Sequence, residues 1–356
     1  MPAVRDRRRV DAVLDRFGLG GLDWATAAAT GGRNDNWLGT TGTGRRVFVK
    51  TIVGSRAVVA HGLRRTEAFY RAHAGSGAQD TLRTTTLIGQ DDQAAVQIFD
   101  LLDGARDGRE TAKDGAFDST LAAQAGEAVG ALHNVSPASL HAVEQALPPL
   151  PDENPLAGLT MEMFYAASAA ELQVWRLLQQ DGLIRDALTQ LDRDAAEVPP
   201  VPVHGDLRLD QFLIAGGRLY LADWEMFQLG DPASDLGGFV GEWLHHAVTR
   251  FLGERMKRGT APAPTIALSP TWRPWRQTRP LAEAFWLAYR TARPDPSCGL
   301  ASRVTRFAAW HLLLRVVTDA RFRARLDGSG HTLIRLAKMI MLNPDRFATV
   351  LGLGDR

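Results

Sequence analysis

Short β-branched and alternating stretches fill the first hundred residues and predict a small sheet. Residues 30–54 have the pattern of two strands joined by the polar turn TGTGRR, and the second strand, VFVKTIV, has the β-branched character of a buried strand. Gly42 and Gly44 are expected to supply the positive φ that such a turn needs. Residues 57–73 show helical spacing of apolar positions, and the runs TTTLIG and AAVQIF predict two more strands.

Helical periodicity replaces this pattern beyond about residue 119. Helices are predicted for STLAAQAGEAVGALHNV, MEMFYAASAAELQVWRLLQQDG and GLIRDALTQLDRDAAEV, and for LAEAFWLAYRTA, SRVTRFAAWHLLLRVVTDARFRARL and HTLIRLAKMIML near the end. Proline-rich segments at 147–155 and 198–203 predict loops, and residues 261–280 predict a longer loop that is mobile or faces a substrate. The pattern indicates an α+β protein with a sheet-rich part at 1–104 and a mostly helical part at 105–356.

Composition narrows the class of protein. Of 356 residues, 45% are apolar and 23% are charged, which allows a sizeable core and excludes disordered, collagen-like and coiled-coil chains. The single cysteine, Cys298, excludes a disulfide framework and a cysteine-clustered zinc or iron–sulfur site. No stretch has the roughly 18 apolar residues of a membrane helix. The start, MPAVRDRRRVDAVLDRFGLGG, predicts a short amphipathic helix rather than a secretory signal, so the expected compartment is the cytoplasm.

Charge is balanced overall but unevenly distributed. The net charge of +1 gives no general attraction to nucleic acid or to an anionic membrane. Residues 241–356 hold 19 lysines and arginines against 8 aspartates and glutamates, whereas residues 105–200 hold 6 against 15. An acidic middle therefore precedes a basic end.

The segment VHGDLRLDQFLIAGGRLYLADWEMFQLGDPASDLG, residues 203–237, carries the candidate chemistry. Two predicted strands form a hairpin here, with Asp206 before the first strand and Asp223 after the second. The open end of a hairpin brings its flanks together, so these two carboxylates are expected to converge. Phosphoryl transfer needs such a pair, because one aspartate accepts the proton of the attacking hydroxyl and another holds the Mg²⁺ that bridges the nucleotide phosphates.

These motifs resemble those of the aminoglycoside phosphotransferase and choline kinase group, distant relatives of the protein kinases. The catalytic loop of that family reads roughly His-Gly-Asp-Leu-His-x-x-Asn and its metal turn reads Asp-Trp-Glu, here HGDLRLDQ and DWE. The resemblance implies a bilobal protein-kinase-like fold with a catalytic loop at 203–211 and a metal turn at 221–225. It also implies that Asp206 is the catalytic aspartate, that Asp223 is the principal Mg²⁺ ligand, and that Asp235 stabilises the loop.

The same resemblance assigns the sheet-rich part to the nucleotide. It places Lys50, in VFVK, on the α- and β-phosphates of ATP and pairs it with Glu67 of the following helix. GGRNDNW would cover the phosphates, and its Asn34 and Asn36 either shape this loop or bond to their own backbone. The run IFDLLDG, residues 98–104, would be the hinge whose backbone holds the adenine. The implied nucleotide-binding residues of the hinge are Ile98 and Asp100.

Two positions depart from the family pattern. Gln211 stands where the family usually has asparagine as second metal ligand, and the longer arm of its amide predicts a looser Mg²⁺ geometry. Arg208 stands where the family commonly has histidine, and a cation there would hold the γ-phosphoryl group during transfer. The expected cofactors are ATP and Mg²⁺.

Three interpretations of the partner remain open. HGDLRLDQFL followed by DWE and LGGFVGEWLHH resembles the stand-alone kinase subunits of class V lanthipeptide and thioamitide pathways. Those subunits phosphorylate Ser or Thr of a precursor peptide for a partner lyase, and the Arg- and Trp-rich run at 272–279 would suit an acidic leader. A small hydroxyl-bearing molecule is the second interpretation, because the acidic stretch at 105–200 would suit an aminoglycoside. A non-catalytic pseudokinase that binds a leader peptide is the third.

Overall fold

The structure, a computed structural model, describes residues 4–31, 34–138, 140, 154–259, 266–294 and 299–354. Cys298, residues 261–265 of the predicted long loop and most of the proline-rich segment 147–155 lie outside the described residues. Within the described chain, a small antiparallel sheet is followed by a much larger helical part, which confirms the α+β prediction.

One five-stranded sheet and two helices form the N-terminal part. Its elements are α1 (Val4–Arg16), β1 (Ala28–Thr30), β2 (Asp35–Thr40), β3 (Arg46–Thr51), α2 (Arg56–Ala74), β4 (Leu87–Asp91) and β5 (Val96–Asp100). The spatial order β1-β2-β3-β5-β4 makes β3 the central strand. The predicted strands and the helix at 57–73 are thus confirmed.

Side-chain alternation gives this sheet two different faces. Val47, Val49 and Ile98 are fully buried in a hydrophobic cluster with apolar residues of α1. Because successive side chains of a strand point to opposite faces, Lys50 of β3 lies on the other side of the sheet. Asn36 of β2 is opposite Lys50 in the strand register and shares its face.

Only one of the two expected glycines turns the β2–β3 hairpin through positive φ. Gly44 has a φ of +83°, as the tight turn requires. Gly42 is not in that region, so this expectation was wrong. A Cβ at position 42 would lie 3.5 Å from the Gly20 Cα, an ordinary van der Waals contact, so packing does not require a glycine there either.

The C-terminal part is mostly helical. Its helices are α3 (Gly108–Lys113), α4 (Ser119–His133), α5 (Met161–Ala166), α6 (Ala169–Gln180), α7 (Gly182–Ala196), α8 (Ala233–Lys257), α9 (Arg273–Ala292), α10 (Leu300–Ala320), α11 (Gly328–Leu342) and α12 (Pro344–Leu351). Its short strands are β6 (Arg106–Asp107), β7 (Val201–Val203), β8 (Phe212–Ala215), β9 (Arg218–Leu221) and β10 (Gln228–Gly230). None of the described helices is both long enough and apolar enough to cross a bilayer.

Proline misled the sequence analysis in two places. Residues 201–203 form strand β7 rather than a loop, and Pro202 is tolerated because β7 pairs with β10 alone. Residues 273–280 belong to helix α9 rather than to a long loop, with a proline in the first turn, where its missing N–H costs nothing. Trp275 is fully buried there, and its indole N–H donates to the Val350 carbonyl at 2.9 Å.

The predicted helix over 161–182 is also interrupted. Ser168 lies in extended backbone between α5 and α6, and its hydroxyl accepts a hydrogen bond from the Glu171 N–H at 3.0 Å. A serine at this position caps the new helix, which explains why helical periodicity on both sides does not merge into one element.

Glycines set the distance between the main helices. A Cβ at Gly126 of α4 would overlap the Phe285 carbonyl oxygen of α9, and one at Gly130 would crowd the Ala292 side chain. These two residues lie one turn apart on one face of α4, so α4 and α9 approach backbone to backbone.

This approach predicts opposite effects for two glycine substitutions. Gly126→Ala should lower the free energy of unfolding by about 1–3 kcal/mol, because the new methyl group overpacks a closed interface. Gly253→Ala, in α8, should raise it by about 0.5–1 kcal/mol, since nothing lies within 4 Å of the added Cβ and alanine favours helix. Urea denaturation of both variants checks the pair, and equal effects would contradict the packing argument.

Candidate active site

A tight hairpin joins the two acid-bearing segments. β8 and β9 are linked by Gly216 and Gly217, whose φ angles of +57° and +73° suit a two-residue turn. Beyond the other end of this ladder, the Ala222 N–H donates to the Gln211 carbonyl oxygen at 2.9 Å. The strand register therefore brings Ala222 opposite Gln211, the last residue of the predicted catalytic loop, and Asp223 follows directly.

Asp235, at the start of α8, holds the first residues of that loop. Its buried carboxylate accepts hydrogen bonds from the His204 N–H at 2.7 Å and the Gly205 N–H at 3.0 Å, and lies 3.1 Å from His133 Nε2. Burial alone raises the pKa of Asp235, but the hydrogen bond from His133 and attraction to His133 and His204 hold it below its usual range. An ionised, fully bonded carboxylate thus fixes the backbone just before Asp206.

Two glycines allow the loop to fit between its neighbours. Gly205 has a φ of +81°, and a Cβ there would overlap the Met226 carbonyl oxygen after the metal turn. A Cβ at Gly238 of α8 would come within 2.7 Å of the Leu207 carbonyl oxygen. The catalytic loop is therefore pressed against both the metal turn and α8.

Asp206 has the environment of a proton acceptor. Although 39% of its side chain is exposed, desolvation raises the pKa of Asp206 to about 6, and the negative charges of Asp223 and Asp210 act in the same direction. The positive charges of Arg208 and His204 oppose this rise. A carboxyl group with such a pKa is ionised at neutral pH and remains basic enough to take a proton.

Arg208 is bound by two aspartates. Its Nη2 lies 3.3 Å from Asp206 Oδ2 and its Nε lies 3.4 Å from Asp210 Oδ1. Asp210 also pairs with Arg109 of α3 at 3.1 Å. Sequence reasoning identified Arg208 but missed Asp210 and Arg109, since α3 is distant in sequence and gave no motif.

Asp223 occupies an unusual backbone conformation in the metal turn. Its φ and ψ are both +68°, a left-handed region that non-glycine residues rarely adopt and that often marks functional sites. Its carboxylate contacts the Lys50 ammonium, which also lies 2.8 Å from Glu225 Oε2. Burial raises the pKa of Asp223, but the charge and hydrogen bond of Lys50 outweigh it and lower this pKa.

The structure does not bring Glu67 to Lys50, so that pairing was wrong. Glu67 is 47% exposed and pairs with Arg71 one helical turn away at 2.7 Å. The face of α2 that meets the metal turn carries Gly62 and Phe69 instead. Glu67 comes five residues after Gly62, which corresponds to about one and a half helical turns. Its side chain therefore points away from that face. Glu225, inside the quoted DWE motif, supplies the carboxylate.

The two asparagines have different surroundings. Asn34 is buried, its amide N–H donates to Glu225 Oε2 at 3.0 Å, and its Oδ1 accepts from the Val53 N–H at 3.1 Å. Both hydrogen bonds of the Asn34 side chain therefore go to residues distant in the chain, and they connect the sheet to the metal turn. Asn36 lies beside Lys50, and its buried Oδ1 has no hydrogen-bond partner among the described residues.

Ile98 and Asp100 do not face the cleft, which corrects the hinge assignment. Both lie inside β5, between β3 and β4, so their backbone groups belong to the sheet ladders. They share the sheet face of Val47 and Val49, opposite to Lys50, and the Asp100 carboxylate pairs with Arg45 at 2.7 Å. Within the run 98–104, the residues left for a backbone contact to a base are those after Asp100.

The donor set fits a hard cation held together with a nucleotide. Asp223 and Gln211 offer carboxylate and amide oxygens, which Mg²⁺ prefers. Among the described residues, no group of three or more histidines, cysteines or carboxylates could hold a metal by itself.

A small antiparallel sheet, a large helical part and a hairpin with two convergent carboxylates define a phosphotransferase of the protein-kinase-like fold. The chain belongs to the phosphotransferase enzyme family (APH), whose model matches residues 24–281. No curated protein sequence is significantly similar to it. The protein is thus a phosphotransferase by family, and its fold is the protein-kinase-like one.

Three solved structures illustrate the similarity. A choline/ethanolamine kinase family protein from Mesorhizobium loti is 18% identical with a TM-score of 0.54, covering 98% of this chain and 99% of that chain. An amicoumacin kinase in complex with AMP-PNP, Ca²⁺ and Ami is 12% identical with a TM-score of 0.53, covering 95% of each chain. A ternary complex of streptomycin, ATP and APH(2")-IIa is 13% identical with a TM-score of 0.50, covering 93% of this chain and 100% of that chain.

The pKa of Asp206 predicts a pH dependence of turnover. If its carboxylate accepts a proton, kcat/KM for ATP hydrolysis should rise with pH through about 6, because only the ionised form is active. Asp206→Asn should lower turnover by about 10²–10⁴-fold and abolish this limb. An unchanged acid limb in the asparagine variant would assign the titration to another group.

Proposed function

We propose that this phosphotransferase transfers the γ-phosphoryl group of Mg–ATP to a hydroxyl group, and that Asp206 is the proton acceptor. The observation that carries the proposal is that Asp206 and Asp223 lie close enough to interact electrostatically beside the open end of the β8–β9 hairpin, where Lys50 of the sheet contacts Asp223. We place the boundary between the nucleotide-binding and the acceptor-binding part near residue 104. Because Ile98 and Asp100 belong to β5, the proposed hinge is residues 101–104.

Each residue has a separate task in the proposed reaction. Asp206 orients the acceptor hydroxyl and takes its proton, while Lys50 binds the α- and β-phosphates. Arg208, held by Asp206 and Asp210, stabilises negative charge on the group in transfer. Asp223 and Gln211 hold the metal, and a bound Mg²⁺ would neutralise the charge of the phosphates.

Nucleotide binding distinguishes this enzyme from a pseudokinase. Saturating Mg–ATP should raise the melting temperature, because a ligand that binds only the folded state adds RT ln(1 + [L]/Kd) to stability. Asp223→Ala should remove the magnesium-dependent part of that rise, whereas Gln211→Asn should preserve or strengthen it. Differential scanning fluorimetry with ATP, with and without Mg²⁺, measures both, and no shift in the wild type would favour the pseudokinase.

The charges near Asp206 bear on the acceptor. Glu242 of α8 is buried, and its carboxylate lies 2.7 Å from His311 Nε2 and 3.5 Å from Arg315 Nε. Asp210 is likewise bound, by Arg109 and Arg208. Both carboxylates are therefore already neutralised, which disfavours a polycationic acceptor such as an aminoglycoside.

The preferred acceptor is Ser or Thr of a precursor peptide with an acidic leader. Arg273 and Arg276 are exposed on the first turns of α9, and they retain the basic character expected of the run at 272–279. Arg279 is less available, since it pairs with Glu283 at 3.0 Å. A partner lyase would then eliminate phosphate from the product, and a cyclase subunit is a further proposed partner. The cytoplasm, where ATP is abundant, is the proposed compartment.

Charge reversal tests the leader interaction. Arg273→Glu combined with Arg276→Glu should weaken binding of an acidic peptide, and binding should also weaken as salt rises. The matched control is Arg185→Glu with Arg193→Glu, which makes the same charge change at exposed positions of α7. Equal losses of peptide affinity in both double variants would show that the effect depends only on net charge. Mass spectrometry of a Ser-containing peptide incubated with Mg–ATP detects the phosphate directly.

A small-molecule acceptor is the second candidate. The similar structures that cover nearly the whole chain include an amicoumacin kinase, a streptomycin complex and a choline/ethanolamine kinase family protein. Turnover of a small alcohol from such a panel, with no phosphate on any peptide, would replace the peptide proposal and leave the phosphotransfer chemistry intact.

A further inference from the structure

Lys50 contacts two carboxylates that both come from the metal turn. Its ammonium contacts Asp223 and lies 2.8 Å from Glu225 Oε2, and only 5% of the residue is exposed. Both contacts of the ammonium therefore come from the metal turn.

Helix α2 leaves room for this arrangement. Gly62 faces the metal turn, and a Cβ there would lie 3.6 Å from the Glu225 Cβ and 3.1 Å from the Ile52 Cδ1. A larger side chain at position 62 would crowd Ile52 and come into contact with Glu225. Glu67 of α2, which the sequence predicted as the partner of Lys50, pairs with Arg71 instead.

Glu225 has a further partner from the sheet. Its Oε2 accepts from the Asn34 amide at 3.0 Å as well as from Lys50. Asn34, which directly precedes β2, and Lys50, on β3, therefore share one carboxylate oxygen of the metal turn. Within the described part of the chain, no second hydrogen bond of this kind reaches the Asp223 carboxylate, and the proposed chemistry requires its oxygens for the cation.

We propose that Glu225 is the positioning residue for Lys50, taking the place of a carboxylate on α2, and that Asp223 is the exchangeable partner. When Mg–ATP binds, Lys50 passes from Asp223 to the phosphates while Glu225 retains it. The inference rests on the proposed function, because it assumes that Lys50 binds phosphates.

Removing the charge of Glu225 tests the assignment. Glu225→Gln should raise the KM for ATP about tenfold or more, since a buried charge-assisted hydrogen bond is lost. Glu67→Gln is the matched control and should leave the KM unchanged, because this side chain meets solvent and Arg71. A wild-type KM in Glu225→Gln would overturn the proposal.

A second measurement needs no nucleotide. Competitive acetylation with acetic anhydride, followed by mass spectrometry of the Lys50 peptide, reports the apparent pKa of Lys50 in the nucleotide-free protein. That pKa should fall in Glu225→Gln and stay unchanged in Glu67→Gln, because a carboxylate that favours the ammonium is removed only in the first. An unchanged value in Glu225→Gln would contradict the proposal, and this holds even if Mg–ATP fails to stabilise the wild type and the proposed function itself fails.

Moving the carboxylate to α2 provides the rescue. Glu225→Ala should impair both readouts, and adding Gly62→Glu should restore the Lys50 pKa and lower the KM for ATP again. Recovery would show that Lys50 needs a carboxylate at this point rather than the glutamate as a structural brace. A double variant that melts like the wild type but recovers neither readout would overturn the assignment.

Discussion

The buried carboxylate of Asp235 is the contact on which the catalytic loop depends. An ion removed from water is tolerated only if hydrogen bonds replace its solvation, and here two backbone N–H groups and His133 do so. Asp235 begins α8, and α8 is packed on α10 through Gly237 and Gly241, where a Cβ would crowd that helix. The backbone before Asp206 is therefore held in place by a closely packed helix pair.

Trp224 connects the metal turn to the rest of the protein. It is buried, stacks on Phe69 of α2, and donates from its indole N–H to Thr84 Oγ1 at 3.0 Å. On the other side its ring lies against His204 of the catalytic loop. The sheet-rich part, helix α2 and the catalytic loop thus all contact one residue of the DWE motif. The position of the neighbouring Asp223 therefore depends on all three.

Two carboxylates of the site are driven in opposite directions by their surroundings. Desolvation is the largest effect at both carboxylates. At Asp206 it raises the pKa to about 6, whereas at Asp223 the charge and hydrogen bond of Lys50, together with the charges of His204 and Arg208, outweigh it and lower the pKa. Such divergence separates a proton acceptor from a permanent anion suited to a cation. Because Asp223 also contributes to the rise at Asp206, binding a cation at Asp223 would lower the pKa of Asp206.

The sheet, the order of most helices, the β8–β9 hairpin and the pair Asp206 and Asp223 were all predictable from the amino-acid sequence. These depend on local signals, namely hydrophobic periodicity, paired glycines and short motifs, which act over a few residues. The association of Lys50 with Glu225 rather than Glu67 depended on the rotation of α2 over the metal turn, which no local pattern encodes. The same holds for Arg109 on Asp210 and for α9, where burial of Trp275 overrides its prolines. Tertiary packing decided these contacts, since they join segments far apart in the chain.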